Sequence, residues 1–405
     1  MKPRSSHPAA ENARGAEHID HLLCVDVLGV RFTVSWGRRV TAEQRQRMAK
    51  AWERCAGAGA PVIPPVPMEP TETLPFSASV AYLSQAHDGG TLALQAASFE
   101  ALAETLTSRL TLAAILENAG RLIMLHACGI ASPETGGVMA LVAKSGTGKT
   151  TAASVLAQTY GYVSDETVAI LPGGEVVPYP KPLSLKQEAG APKRQVAPDE
   201  LGLQPAPPKM FIQSIVLLDR IDRFHGSDVQ DRPVAPVLRQ LPLADGLLAL
   251  IPELSSQAEL DEPLQSLCRL IERVGGIWQV TYSEAADLPH ALEPLFRGYG
   301  PANAVWDAPG FDGAAGAIPD GWVRRVTPRD AVRIDDDLLV MLDSEIVRLG
   351  GVGPAIWEAA VNAVPLEQLA EEVGRVHGRR EGYRTAVAAA AGELVAKAVL
   401  ERGGA

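Results

Sequence analysis

Residues 143–150 read AKSGTGKT. The spacing is that of G-x-x-x-x-G-K-[ST], a glycine-rich loop that cradles phosphates when it lies between a strand and a helix. Both flanks have the required character. Val138 to Val142 is wholly apolar, as in a sheet strand covered on both faces. From Thr150 to about Tyr160 the pattern is helical, with Ala152, Val155 and Leu156 on one face. Gly146 and Gly148 let the backbone turn its amides inward on an anion. The expected nucleotide-binding residues are Ser145, Gly146, Thr147, Gly148, Lys149, Thr150 and Thr151. Lys149 places a cation on the β- and γ-phosphates, and the Thr150 hydroxyl is placed to ligate Mg²⁺. The helix N-terminus adds its positive dipole end. Ala143 stands where the motif has its first glycine, which the loop tolerates if φ there is negative.

The next residues with chemistry are acids. Asp165 and Glu166, in YVSDETV, follow a short strand one helix after the loop. In a parallel βαβ unit that strand lies beside the first and its C-terminal end faces the phosphates. A carboxylate there can accept the proton of an attacking hydroxyl or hold Mg²⁺; the plainer alternative is a turn acid. His126 ends the strand pattern LIMLH and is placed to face the same crevice, unless it is a structural histidine. Asp219 ends SIVLLD and looks like a Walker B acid, although strands often end in Asp. Lys181 and Lys186 sit in PYPKPLSLK, a loop stiffened by three prolines. They are candidates to reach phosphate or substrate; the alternative is two solvated lysines.

These residues must be positioned by a mixed α/β fold. The first 18 residues are polar and read as a disordered tail, not a secretory signal. Residues 19–105 read as a small N-terminal α/β domain. Its parts are a hairpin over 21–34 broken at Leu28-Gly29, a helix capped by Thr41 through Ala56, a Pro-rich segment 61–75 and an αβ patch over 79–94. Residues 106–300 form the phosphate-loop domain. It takes in the end of a helix over 99–120, then strands at 122–126, 138–143, 162–165, 167–171, 212–219 and 276–282, with a turn at 132–137. Residues 301–323 have the Gly, Ala, Pro and Asp composition of a linker. Residues 324–405 read as three strands (331–335, 338–342, 345–349) and three helices (354–361, one from Pro365, and 383–401).

Bulk composition bounds the function classes. The chain has 405 residues, 46% hydrophobic and 21% charged, with a formal net charge of −11. Dispersed Lys and Arg on an acidic chain argue against a nucleic-acid partner. No apolar run is long enough for a membrane span. Cys24, Cys55, Cys128 and Cys268 are far apart with no CxxC pair, so they read as reduced thiols of a cytoplasmic protein and not as a zinc site.

The order LHACG, AKSGTGKTT, YVSDETV, PKPLSLK resembles the catalytic domain of HPr kinase/phosphorylase over about residues 106–295. The resemblance implies a P-loop kinase core of the HPr kinase/PEP carboxykinase type, using ATP and Mg²⁺. It puts the family's base on Asp165, its histidine on His126 and its Mg²⁺-ligating hydroxyl on Thr150, with Lys149 on the phosphates. It also implies a homo-oligomer. The chain has no counterpart to the glycine-rich signature of the bifunctional enzymes, and so it looks more like the shorter kinase relatives found near peptide natural-product genes. Residues 324–405, with GPAIWEAA and PLEQLAEEV, resemble the winged-helix-like (βββααα) PqqD-like family, or RiPP recognition elements. That likeness implies a precursor peptide's leader adding as a strand beside Glu345, Ile346, Val347, Arg348 and Leu349.

The expectation is therefore an ATP- and Mg²⁺-dependent kinase acting on a Ser or Thr hydroxyl of a ribosomally made peptide. Its competitor is a nucleotide-binding scaffold that presents the peptide to a partner modifying enzyme, motivated by the missing signature and by Ala143. A third reading is a kinase of a small hydroxyl metabolite.

Overall fold

The computed structural model describes residues 22–58, 61–62, 64–83, 89–144, 146–188, 190–221, 235–297, 305–310, 316–343 and 345–404. The tail expected at 1–18, Ser145 and parts of the expected linker lie outside these. The chain divides into two units: the described residues of 1–237 with 280–296, and those of 238–279 with 297–405. Both mix helices and strands.

The first unit opens with the hairpin β1 (Leu23–Val27) and β2 (Val30–Trp36), in register from Leu23↔Val34 to Val27↔Val30. Leu28 (φ 49) and Gly29 (φ 79) both take left-handed conformations, as a two-residue type I′ turn requires. Thr41 and Gln44 form a reciprocal capping box for α1 (Ala42–Ala51), which ends five residues earlier than its pattern suggests because Glu53–Cys55 tightens into a 3₁₀ turn. The region expected as an αβ patch is instead two strands, β3 (Phe76–Tyr82) and β4 (Gly90–Ala96), closing an antiparallel sheet in the order β1-β2-β3-β4. Ser98 caps α2 (Phe99–Glu117). Its Phe99, Leu102, Leu106 and Leu110 are buried in a core shared with Val25, Phe32 and Val80 of the sheet.

That same core continues through Leu122, Met124, Ala169 and Tyr179. Asn118 Nδ2 donates to the Leu28 carbonyl at 3.0 Å. There is accordingly no break in the core at the boundary expected at 105/106. The N-terminal layer is packed as part of the phosphate-loop unit.

Short strands β5 (Ile123–Leu125), β9 (Val168–Ile170) and β10 (Val176–Val177) pair antiparallel. A larger sheet carries β6 (Ala127–Ala131), β7 (Gly137–Val142), β8 (Gly161–Ser164), β13 (Gln204–Pro205) and β14 (Phe211–Arg220), in the order β13-β8-β6-β7-β14. Between β7 and β8 runs α3 (Lys149–Leu156). Between β10 and β13 lies the antiparallel pair β11 (Leu183–Leu185) and β12 (Arg194–Val196). Here the sequence expectation needs a correction. β8 does not lie beside β7; β6 separates them and is antiparallel to both, through Cys128↔Leu141 and Ile130↔Tyr162. β7 and β8 are therefore parallel at one remove, and their C-terminal ends still open to one side. ACGIA holds a single β-branched residue, so its strand character is weak in the sequence and comes from being paired on both edges.

The second unit holds α4 (Leu243–Leu250), α5 (Pro263–Arg273), β15 (Trp322–Arg325), β16 (Asp330–Ile334), β17 (Asp337–Leu342), β18 (Glu345–Leu349), α6 (Gly353–Ala359), α7 (Leu366–His377), α8 (Tyr383–Ala396) and β19 (Leu400–Arg402). The expected order of three strands and three helices is present. Two details differ. Trp322 and Val323, expected in the linker, begin β15, which pairs with Val364–Pro365 and with β19. The last helix stops at Ala396, where Ala398 turns left-handed (φ 56) and starts β19. Trp357, Leu369, Val373 and Leu394 pack in its core.

Residues 238–279 were expected in the phosphate-loop domain. The strand expected at 276–282 is present as Ile277–Tyr282 in the sheet of β7 and β14, whereas α5 is tied to the second unit by Asp330. Asp330 is fully buried, and its Oδ2 accepts from the amides of Leu264 (2.7 Å) and Gln265 (3.1 Å) at the start of α5, which has no side-chain cap of its own. Its Oδ1 accepts from Gln265 Nε2 at 2.8 Å. A carboxylate from 66 residues away thus satisfies the orphan donors of the helix. Asp330→Ala is expected to cost about 1–3 kcal/mol, because it strands buried N–H groups. Urea unfolding should show the lowered midpoint, with Asp330→Asn losing less.

Candidate functional site

A cavity of about 490 Å³ opens at the mouth of the glycine-rich loop within the first unit. Its wall includes Gly146, Gly148, Lys149, Thr150 and Thr151. Gly146 (φ 84) and Gly148 (φ 100) are left-handed, and Gly148 caps α3. A Cβ on Gly148 would also meet Arg220 Nη1 at 3.4 Å. Ala143 is not among the residues with positive φ, so the departure from the motif costs the backbone nothing. Lys149 is buried, and its ammonium donates to the carbonyls of Ala143 and, at 3.1 Å, Lys144. The Thr147 hydroxyl donates to the Lys144 carbonyl at 2.6 Å. The loop is thus tied to itself before any ligand arrives. Ser145 lies outside the described residues.

Asp165 follows β8 and is buried with its two oxygens facing different partners. Thr150 Oγ1 donates to Oδ2 at 3.2 Å. Oδ1 faces Lys181 Nζ at 2.9 Å and the Tyr162 hydroxyl at 3.3 Å. Lys181 Nζ also sits 3.2 Å from Glu166 Oε2. Burial alone would depress the Lys181 pKa, but Asp165 and Glu166 outweigh it and hold the ammonium above its ordinary value. Burial, reinforced by Asp165, raises the Tyr162 phenol well above its usual range. Ser164 Oγ accepts from the amides of Glu166 (3.3 Å) and Thr167 (3.2 Å), which shapes the turn carrying the acids.

His126, half-buried, lines the same cavity, so the loop, the acid and the histidine are brought together. Lys186 lines it too. Lys181 does not reach out to solvent as a surface lysine would; it is 1% exposed and bound to the acids. Asp219 does not line the cavity. It is exposed and accepts from Thr281 Oγ1 at 2.9 Å, whereas its neighbour Arg220 lines the wall, since successive strand residues face opposite ways. The Walker B reading of Asp219 is corrected accordingly. Sequence reasoning also missed Glu104, Thr107 and Lys193 in the wall. Arg220 could have been read from its place at the strand end. Nothing in the sequence links Glu104 to Lys193, whose amide donates to Glu104 Oε2 at 3.0 Å.

Thr150 Oγ1 and Asp165 Oδ2 are adjacent hard oxygen donors. Among the described residues no three His, Cys, Asp or Glu side chains group as a metal site. One or two protein oxygens completed by phosphates and water suit Mg²⁺, so these residues fit that ion. Cys128 lies near the site, but burial first and Asp165 second push its thiol up to about 12, so it stays protonated. Together the groups can hold a triphosphate, a divalent cation and a proton acceptor in one space.

In the second unit, Glu345, Ile346, Val347, Arg348 and Leu349 form β18 at the edge of the sheet Trp306–Asp307, β16, β17, β18. Its recorded partner is β17, from Leu338↔Leu349 to Leu342↔Glu345. Glu345 and Arg348 are exposed, Ile346 and Val347 half-buried, and Leu349 buried. Arg348 donates to Asp337 and, at 2.8 Å, to Asp245. No helix among the described residues is long and apolar enough to cross a membrane.

No family model matches the chain. No curated protein matches it. Among solved structures, the Hpr(Ser) kinase/phosphatase from Coxiella burnetii is matched with 13% identity over 43% of this chain and 93% of that one, at a TM-score of 0.22.

The loop geometry is directly testable. Gly148→Ala places a Cβ at φ 100 and against Arg220, a strain of about 1–2 kcal/mol. Titration with a fluorescent ATP analogue should show affinity reduced by about tenfold. Ala143→Gly should leave affinity within about twofold, because that position has no positive φ to relieve.

Proposed function

We propose that the chain is an ATP- and Mg²⁺-dependent kinase of the HPr kinase type that phosphorylates a Ser or Thr hydroxyl of a ribosomally made precursor peptide. The observation that carries this reading is the 3.2 Å contact of Thr150 Oγ1 with Asp165 Oδ2 at the mouth of the phosphate loop. It supports the reading because the hydroxyl that would ligate Mg²⁺ and the carboxylate that would act as base are neighbours beside the loop.

Lys149 and the loop amides would take the charge that develops on the transferred phosphoryl group. Thr150 and Asp165 would hold Mg²⁺, which when bound would further neutralise the phosphates. Asp165 orients the acceptor hydroxyl and takes its proton as the new O–P bond forms and the β–γ bond breaks. His126 stands in the same cavity as a second proton-handling group. The scaffold reading drew on Ala143, and the backbone at that residue carries no strain that would disable the loop.

The peptide reading rests on the second unit. Its order of three strands and three helices supports the PqqD-like reading, and β18 at the sheet edge is where a leader would add as a further strand. Sharing one chain would then raise the effective concentration of the core peptide at the kinase unit. Cytoplasmic location and oligomer formation belong to the same proposal.

Purified full-length protein with Mg²⁺ and [γ-³²P]ATP is expected to label a peptide encoded beside its gene. Asp165→Asn should lower kcat by about 10²–10⁴-fold. Absence of transfer to every such peptide, with Asp165→Asn indistinguishable from wild type, overturns the kinase reading. Ile346→Asp should raise KM for the leader-bearing peptide and leave kcat unchanged; equal KM values overturn the leader assignment.

A further inference from the structure

The sequence motif accounts for the loop and for Asp165, but not for Lys181. Its side chain is 2% exposed, and its ammonium lies 2.9 Å from Asp165 Oδ1 and 3.2 Å from Glu166 Oε2. The Asp165 side chain is 4% exposed and that of Glu166 38%. The backbone that carries Lys181 is also fixed. The Tyr162 hydroxyl is 3.1 Å from the Lys181 carbonyl and 3.3 Å from Asp165 Oδ1, so one phenol bridges lysine and acid. Pro180 and Pro182 restrict the chain on both sides. The outcome is geometric: Oδ1 of Asp165 is occupied by Lys181 and Tyr162, and Oδ2 is left facing Thr150.

It is also electrostatic. Two adjacent carboxylates beside a threonine hydroxyl would make a cation site by themselves. An ammonium in contact with both offsets one of their two charges, and its contact with the buried Asp165 is little screened by water. Lys149 and Arg220 line the same cavity and add positive charge, as do Lys186 and Lys193, against Glu104. Lys149 differs from Lys181 in that its ammonium is engaged by the loop carbonyls of Ala143 and Lys144.

We propose that Lys181 is a positioning residue that holds Asp165 with one oxygen toward Thr150 and neutralises the Asp165–Glu166 pair, so that a divalent cation is retained only in company with nucleotide phosphates. This rests on the nucleotide-binding reading above. It assigns Lys181 the control of metal binding, while Lys186 of the same segment stands in the cavity wall. The phosphates restore the negative charge that Lys181 removes, and the cation and nucleotide enter as a unit.

The test uses Mn²⁺ alone as the probe, followed by electron paramagnetic resonance on the full chain, without and with saturating AMPPNP. Wild type should bind Mn²⁺ at least tenfold more weakly without nucleotide. Lys181→Met should tighten nucleotide-free Mn²⁺ binding at least tenfold, Glu166→Gln added to it should remove the gain, and Lys181→Arg should behave as wild type. Lys181→Gln, which keeps a donor for Asp165 but no charge, gives a second reading if the methionine variant does not fold. Equal Mn²⁺ affinity of wild type with and without nucleotide overturns the proposal. So does a folded Lys181→Gln or Lys181→Met protein with no gain. Phosphoryl transfer plays no part in the readout, so loss of kinase activity and loss of this metal control are separately visible.

Discussion

The contact on which the first unit turns is the buried pair of Asp165 and Lys181. Removing two charges from water is costly, and the cost is offset only where each finds close partners. Here the pair finds Tyr162, Thr150, Glu166 and the Pro182 carbonyl within 3.3 Å. To bring Lys181 there, the Pro-rich segment must enter the core. It does so with Tyr179 fully buried and its hydroxyl 2.5 Å from Thr111 Oγ1 on α2. The acid segment, the proline segment and the N-terminal layer are therefore one mechanical assembly.

That assembly explains why β1 to β4 and α2 share a core with Met124, Ala169 and Tyr179. α2 contributes packing through Phe99, Leu102, Leu106 and Leu110 and cavity wall through Glu104, Thr107 and Ser108. The layer is part of the site, not an appendage.

The second unit achieves its order by a comparable device with different chemistry. Asp330, also fully buried, is satisfied not by a cation but by helix amides, which concentrate partial positive charge at the start of α5. Arg325 lies over the Trp357 ring at 4.0 Å from its centroid, so a cation too is held there against an aromatic face. In each unit a buried carboxylate links separate segments of the chain: Asp165 to the proline segment, Asp330 to the start of α5.

Local sequence determined the phosphate loop, the hairpin at Leu28-Gly29, the Thr41 cap and the strand–helix order of residues 324–405. These depend on interactions within a few residues, such as glycine φ, capping and periodicity, and the residue types declare them. The loop, Asp165 and His126 could be placed in one cavity from motif order alone, although β6 between β7 and β8 could not, because ACGIA is a strand only through its neighbours. Tertiary structure alone decided that Lys181 is buried against two carboxylates, that Arg220 and not Asp219 faces the cavity, that α2 contributes to the cavity wall, and that Asp330 caps the start of α5. Each of these is a long-range pairing of charges or donors. Its energy depends on burial and distance in the folded chain, and neither is written in residue type or spacing.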